Sequence, residues 1–170
     1  IFIANMPTEE VYTMPAKYGV DGTVSNTKPL VYKGNIIDQF TLTFENGKIV
    51  KAHAQVGNDL LQQLITTDEG SSYLGEVALV PHQSPISASN ILYYNTLFDE
   101  NASNHLAIGE AYPTCYEGGR ELEQGQLESL GINTSVTHED FMIGSGEMDI
   151  DGELADGTME PIFRKGNWAF

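Results

Sequence analysis

The chain has 170 residues, 41% of them hydrophobic and 19% charged. That is enough for one domain with a sizeable core, and no apolar run approaches the roughly 18 residues that a membrane span needs. Its 24 acidic and 8 basic side chains give a formal charge of −16, which repels phosphate backbones and anionic lipid and argues against nucleic acid or a membrane as partner.

The chain opens Ile1-Phe2-Ile3-Ala4-Asn5, with neither an initiator Met nor a signal-peptide pattern, and reads as a piece of something longer. From Asn35 to Ala54 apolar and polar residues alternate around Glu45-Asn46-Gly47-Lys48, a hairpin with Phe40, Leu42, Phe44 and Ile49 on its apolar face. Asn58 is placed to cap a short helix bearing Leu60, Leu61, Leu64 and Ile65, which Thr67-Asp68-Glu69-Gly70 ends. The run Gly75 to Pro81 reads as a buried strand with Glu76 at its mouth, and Ile91 to Tyr94 as a further strand.

Asp99 to Tyr112 has helical spacing with Asp99 or Asn101 as cap, and Pro113 stops it. Residues 116–131 are polar and Gly-rich, a surface loop or short helix. Thr134 to Phe170 holds four strand-like pieces, divided at Gly144-Ser145-Gly146, Asp151-Gly152, Asp156-Gly157 and Lys165-Gly166. The whole reads as an α+β fold dominated by antiparallel sheet, with any metal site built from strand ends and one helix.

Four segments hold residues capable of chemistry. His138 and Asp140, two apart on a strand, point to one side while Glu139 points away, which makes half a metal site or a plain hydrogen-bonded couple. His105 and Tyr112 would share a helical stripe, with Glu100 near the first turn; caps and core packing explain the same residues. Glu9 and Glu10 follow a Pro-containing bend, where a solvated pair is the plainer reading. Glu76 is the most conspicuous acid, because a carboxylate in a buried strand is costly unless paired or ligating.

Two imidazoles and at least four carboxylates suit a pair of divalent ions, about 3.5–4 Å apart, that activate water; zinc, cobalt and manganese all accept such ligands. A non-catalytic metal-binding or interaction domain would use the same side chains. Cys115, the one cysteine, forms no internal disulfide and points to a reducing cytoplasm; its Pro-Thr-Cys-Tyr context matches no thiol-enzyme signature.

The segments Asn-x-Pro-Thr-Glu-Glu-Val-Tyr-Thr (5–13), Leu-Gly-Glu-Val-Ala-Leu-Val (74–80), Thr-Leu-Phe-Asp-Glu-Asn-Ala-Ser-x-His (96–105) and His-x-Asp-Phe-Met-Ile-Gly-Ser-x-Glu-Met-Asp (138–149) occur in this order. Together they resemble the M29 family of metallo-aminopeptidases from about Ala4 to the last residues. The resemblance implies a cytoplasmic, homodimeric exopeptidase of broad preference that acts on peptides with a free N-terminus and uses two divalent ions. It implies Glu10, Glu76, Glu100, His105, His138 and Asp140 as metal ligands. Tyr112 would contact the substrate or the tetrahedral intermediate, and Glu10 or Glu76 would take a proton from water. It also implies that residues 1–170 form a C-terminal, metal-binding catalytic domain, because family members have a further N-terminal domain.

Overall fold

The computed structural model describes residues 10–170. Its elements in chain order begin with β1 (Val11–Thr13), β2 (Gly22–Ser25), β3 (Leu30–Tyr32), β4 (Asn35–Glu45), β5 (Lys48–Val56), α1 (Asn58–Ile65) and β6 (Leu74–Leu79). They continue with α2 (Pro85–Ser89), α3 (Thr96–Asp99), β7 (His105–Gly109), α4 (Gln124–Ser129), β8 (His138–Met142), β9 (Ile150–Glu153), β10 (Met159–Arg164) and β11 (Asn167–Trp168). This is the expected α+β fold, every strand pair antiparallel. No helix among the described residues is long and apolar enough to cross a membrane.

The β4–β5 hairpin forms where its alternation places it. Asn46 and Gly47 both take positive φ, 50° and 82°, as a tight hairpin turn requires. β2 and β3 pair with β4 on the side away from β5, and this sheet lays Phe40, Leu42 and Phe44 against Leu61 and Leu64 of α1. A second sheet, in the order β1-β6-β7-β8, closes the core from its other side through Leu74, Ile108 and Phe141, with the Phe40 and Phe141 rings 5.5 Å apart. A small third sheet, β11-β10-β9, follows at the C-terminus.

Several local expectations differ from what forms. The stretch from Asp99 to Tyr112 is not one helix: α3 tightens into a 3₁₀ turn over Glu100–Ala102, Ser103 is extended, and His105 starts a strand. Pairing with β6 on one side and β8 on the other satisfies that backbone, which outweighs the helical spacing. Asn95, not Asp99 or Asn101, caps α3; the Asp99 carboxylate instead accepts from Tyr93 N and Asn95 N, at 2.7 and 3.1 Å. Those two bonds and the positive φ of Asn90 and Tyr94 leave 91–94 irregular rather than a strand. Gly57 caps α1 while Asn58 accepts from Ala54 N, and Asp151-Gly152 lies inside β9 rather than at a turn.

β6 contains a bulge. Leu74 pairs with Ile108 but Glu76 pairs with Ala107, so Gly75 is an extra residue and the pleat changes phase across it. Leu74 therefore faces the core while Glu76, two residues on, faces the opposite side. A Cβ on Gly75 would lie 2.1 Å from the Glu110 carbonyl oxygen, so only glycine fits. The Gly75→Ala variant is expected to lose roughly 1–3 kcal/mol of stability, as overpacked sites do, measured by urea unfolding.

Asp68 ties the end of the α1 loop to the segment before β8. Its carboxylate accepts from Ser71 N, Ser135 Oγ and Val136 N at 2.7, 2.8 and 2.6 Å. Partial burial pushes its pKa up, but those donors outweigh it and hold the carboxyl below the usual aspartate value. A depressed folded pKa adds stability that is complete above the unfolded value of about 3.9 and is lost as pH falls through the lower folded value. Thermal unfolding should therefore show Asp68→Asn less stable than the parent at pH 6, with the gap closing on acidification through that window.

Candidate metal centre

The face of the second sheet turned away from the core is built by pleat alternation. Across β6, β7 and β8 the register aligns Glu76, Ala107 and Asp140 in one row, and Ala78, His105 and Met142 in the next. Gly109 pairs with His138, and Tyr12 of β1 pairs with Ala78. Residues directly opposite in antiparallel strands share a face, so these side chains stand together, and Glu10, two residues before Tyr12, joins them. Ala78, Ala107 and Gly109 form a low floor over which the longer side chains converge. The intervening residues Val77, Leu106 and Phe141 point the other way.

Glu76 is the centre of the group. Its Oε1 lies 3.4 Å from His105 Nε2 and its Oε2 lies 3.7 Å from His138 Nε2. Glu10 Oε2 lies 3.2 Å from His105 Nε2, and Asp140 Oδ1 lies 3.5 Å from His138 Nε2. Two clusters result, Glu10–Glu76–His105 and Glu76–His138–Asp140, each with one donor atom per residue within 4.8 Å of the others. Glu100, on the 3₁₀ turn after α3, hydrogen-bonds Asp140 from the side.

Both imidazoles are oriented from behind. His105 Nδ1 lies 3.0 Å from the Ser103 carbonyl and His138 Nδ1 lies 2.7 Å from the Glu110 carbonyl. A carbonyl only accepts, so each Nδ1 bears the proton and each Nε2 is aimed into the cluster, the second layer of contacts that metal-binding histidines need. His105 Nε2 and Asp140 Oδ1 are buried and make no hydrogen bond of acceptable geometry despite their near neighbours. Buried polar atoms left so, among carboxylates and imidazoles, suit divalent cations well.

The electrostatics agree. Burial pushes Glu100 up to about 8, and the charges of Asp140 and Glu10 add to it. Its neighbour Asp140 is held low: burial opposes this, but the charge of His138, whose Nε2 lies 3.5 Å from Asp140 Oδ1, prevails. Burial raises Glu76 as well. His138 rises to about 9 and His105 well above its ordinary value, in each case against burial, because carboxylates surround the ring. Protein alone thus meets its excess of negative charge by gathering protons, and bound cations would take their place.

Tyr112 is not on a helix with His105. It follows β7, with its ring 4.5 Å from that of His138 and 6.2 Å, edge-on, from that of Tyr12. Burial, with the charges of Asp140 and Glu76, pushes its hydroxyl up to about 12, so it remains a proton donor at neutral pH. The cluster opens into a cavity of about 330 Å³, walled also by Tyr12, Tyr112, Thr96 and Leu97. A larger concavity of about 510 Å³, beside Lys17 and Glu128, holds neither ligand cluster. The Cys115 thiol is pushed up by burial and by Glu76, the reverse of what a thiolate nucleophile needs. Sequence reasoning missed Tyr12, which the same two-residue alternation from Glu10 reaches, and the Ser103 and Glu110 carbonyls, which leave no signal in residue type.

The chain is 68% identical to aminopeptidase AmpS of Bacillus subtilis (strain 168) over 99% of its length, and 60% identical to aminopeptidase 2 of Geobacillus stearothermophilus over the same share. Wild-type AmpT from Thermus thermophilus superposes with a TM-score of 0.91 at 43% identity, over 98% of this chain and 41% of that one. The chain likewise spans 41% of the length of the first two relatives. The family model described as thermophilic metalloprotease (M29) matches residues 1–168, and the chain belongs to that family.

Proposed function

We propose that this chain is the metal-binding catalytic domain of a cytoplasmic, dimeric aminopeptidase, with Glu10, Glu76, Glu100, His105, His138 and Asp140 as ligands of two divalent ions. The observation that supports this most is Glu76, which turns one carboxylate oxygen to each histidine and so belongs to both ligand clusters. Zinc, cobalt and manganese all fit the donor set. Its relatives are named aminopeptidases, and the cavity of about 330 Å³ is near the lower end for small-molecule sites, which suits one terminal residue and its scissile bond.

Two ions held there would polarise the scissile carbonyl and lower the pKa of water. The remaining work belongs to the chain's own side chains. Glu10 or Glu76 would take the proton from water; Glu76 is shared by both clusters and Glu10 belongs to one, which makes Glu10, beside Tyr12 on the cavity wall, the less committed of the two. The acidic wall favours the free α-amine of a substrate over an internal peptide segment. The Tyr112 hydroxyl, protonated at neutral pH, donates to the oxygen on which negative charge develops.

Elemental analysis of the protein equilibrated with zinc or cobalt should find close to two ions per chain, falling by at least one in His105→Ala or His138→Ala. A chelator should lower the melting temperature, since free ion at 100 times its dissociation constant stabilises the folded state by about 2.7 kcal/mol. Metal content indifferent to both histidines would refute the assignment. Tyr112→Phe should keep its metal and lower kcat by roughly 10²–10³-fold, the usual cost of one oxyanion donor; an unchanged kcat excludes that role.

A further inference from the structure

The cavity has two kinds of wall. One consists of the ligand carboxylates and His138; the other is neutral and consists of Tyr12, Tyr112, Thr96 and Leu97. Leu97 is the one aliphatic side chain among the described residues that line it. It is 43% exposed although it sits on α3, whose capping by Asn95 and neighbouring Asp99 contacts fix its position: Leu97 N donates to Asn95 Oδ1 at 3.2 Å. Phe98, the next residue in the chain, and Tyr93 contact each other with rings 5.9 Å apart and are themselves part-exposed.

We infer that Leu97, with the Tyr12 and Tyr112 rings, forms the subsite for the side chain of the substrate's N-terminal residue and, within a broad preference, favours an apolar side chain there. The inference rests on the aminopeptidase reading above. If the α-amine and scissile carbonyl of a substrate occupy the ligand wall, the side chain on the intervening α-carbon must go to the neutral wall. Apolar surface there is left to solvent in the free protein, and an apolar side chain would cover it. An acidic side chain is disfavoured by Glu139, which also borders the cavity and is not among the ligands proposed above. The edge-on Tyr12–Tyr112 contact limits the subsite on the side of β1.

The test uses binding rather than turnover. The α-hydroxamates of leucine, alanine and glutamate are titrated calorimetrically into the zinc-loaded protein, with metal content measured in each sample. The leucine compound should bind about tenfold or more tighter than the alanine compound, as expected for a few methylenes in an apolar pocket, and the glutamate compound weakest. Leu97→Ala should bring leucine and alanine to within about twofold while leaving alanine affinity and metal content unchanged. Leu97→Lys should reverse the order in favour of glutamate. A leucine-to-alanine ratio the same in parent and Leu97→Ala, with full metal content, overturns the subsite alone. Failure to retain metal overturns the aminopeptidase reading and the subsite with it.

Discussion

The structure turns on a repulsion: Glu10, Glu76, Glu100 and Asp140 are gathered on one sheet face, largely out of water. Two unit charges 4.8 Å apart repel by about 3.5 kcal/mol at an effective dielectric constant near 20, and each carboxylate also loses hydration. Two imidazoles stand among them to answer this, and even so burial and the charges of Asp140 and Glu10 push Glu100 up to about 8. An arrangement so poorly neutralised is costly in a fold stabilised by only a few kcal/mol, and side chains of this kind persist where a cation completes them.

The rest of the sheet accommodates that face. Antiparallel strands separate odd from even positions, so Leu106 and Phe141 can pack into the core while the other set carries the clustered carboxylates and imidazoles. Small residues between the clustered side chains matter as much as those side chains do. Ala107 stands directly between Glu76 and Asp140, and a larger side chain there would occupy the space in which their oxygens meet the histidines. The bulge at Gly75 is the one departure from regular pairing in β6, and without it Glu76 would point the same way as Leu74. The Glu110 carbonyl that excludes a side chain at Gly75 is also the acceptor for His138 Nδ1, so close backbone packing and imidazole orientation share one atom.

Alternation made much of this legible in advance. The hairpin of β4 and β5 and the shared side of His138 and Asp140 follow from a period of two, and the buried strand around Glu76 from a short apolar run bounded by Gly75 and Pro81. The Asp99–Tyr112 stretch did not, because His105, Leu106 and Ile108 fit a helical stripe as well as a strand, and only pairing with β6 and β8 decides between them. The same limit applies at Ile91–Tyr94, where an aspartate several residues later takes up the backbone N–H groups. Convergence of the four segments was readable through the family resemblance rather than from spacing, since register between strands 30 residues apart in sequence has no local signature. The segment 5–9 lies outside the described residues.

The segment from Asn95 to Ser103 links the two chemistries of the cavity. Within six residues it supplies Leu97 to the neutral wall, Asp99 to hold the preceding loop, and Glu100 to Asp140. Its end is fixed by Ser103, whose carbonyl accepts from His105 and whose hydroxyl accepts from Gly144 N. A displacement of this short helix would therefore change the protonation of the Glu100–Asp140 pair, the orientation of His105 and the shape of the neutral wall together. Residues that would choose a substrate and residues that would hold the ions thus stand on one short stretch of chain, so a shift of its backbone, unlike a change in the Leu97 side chain alone, would alter selectivity and metal retention together.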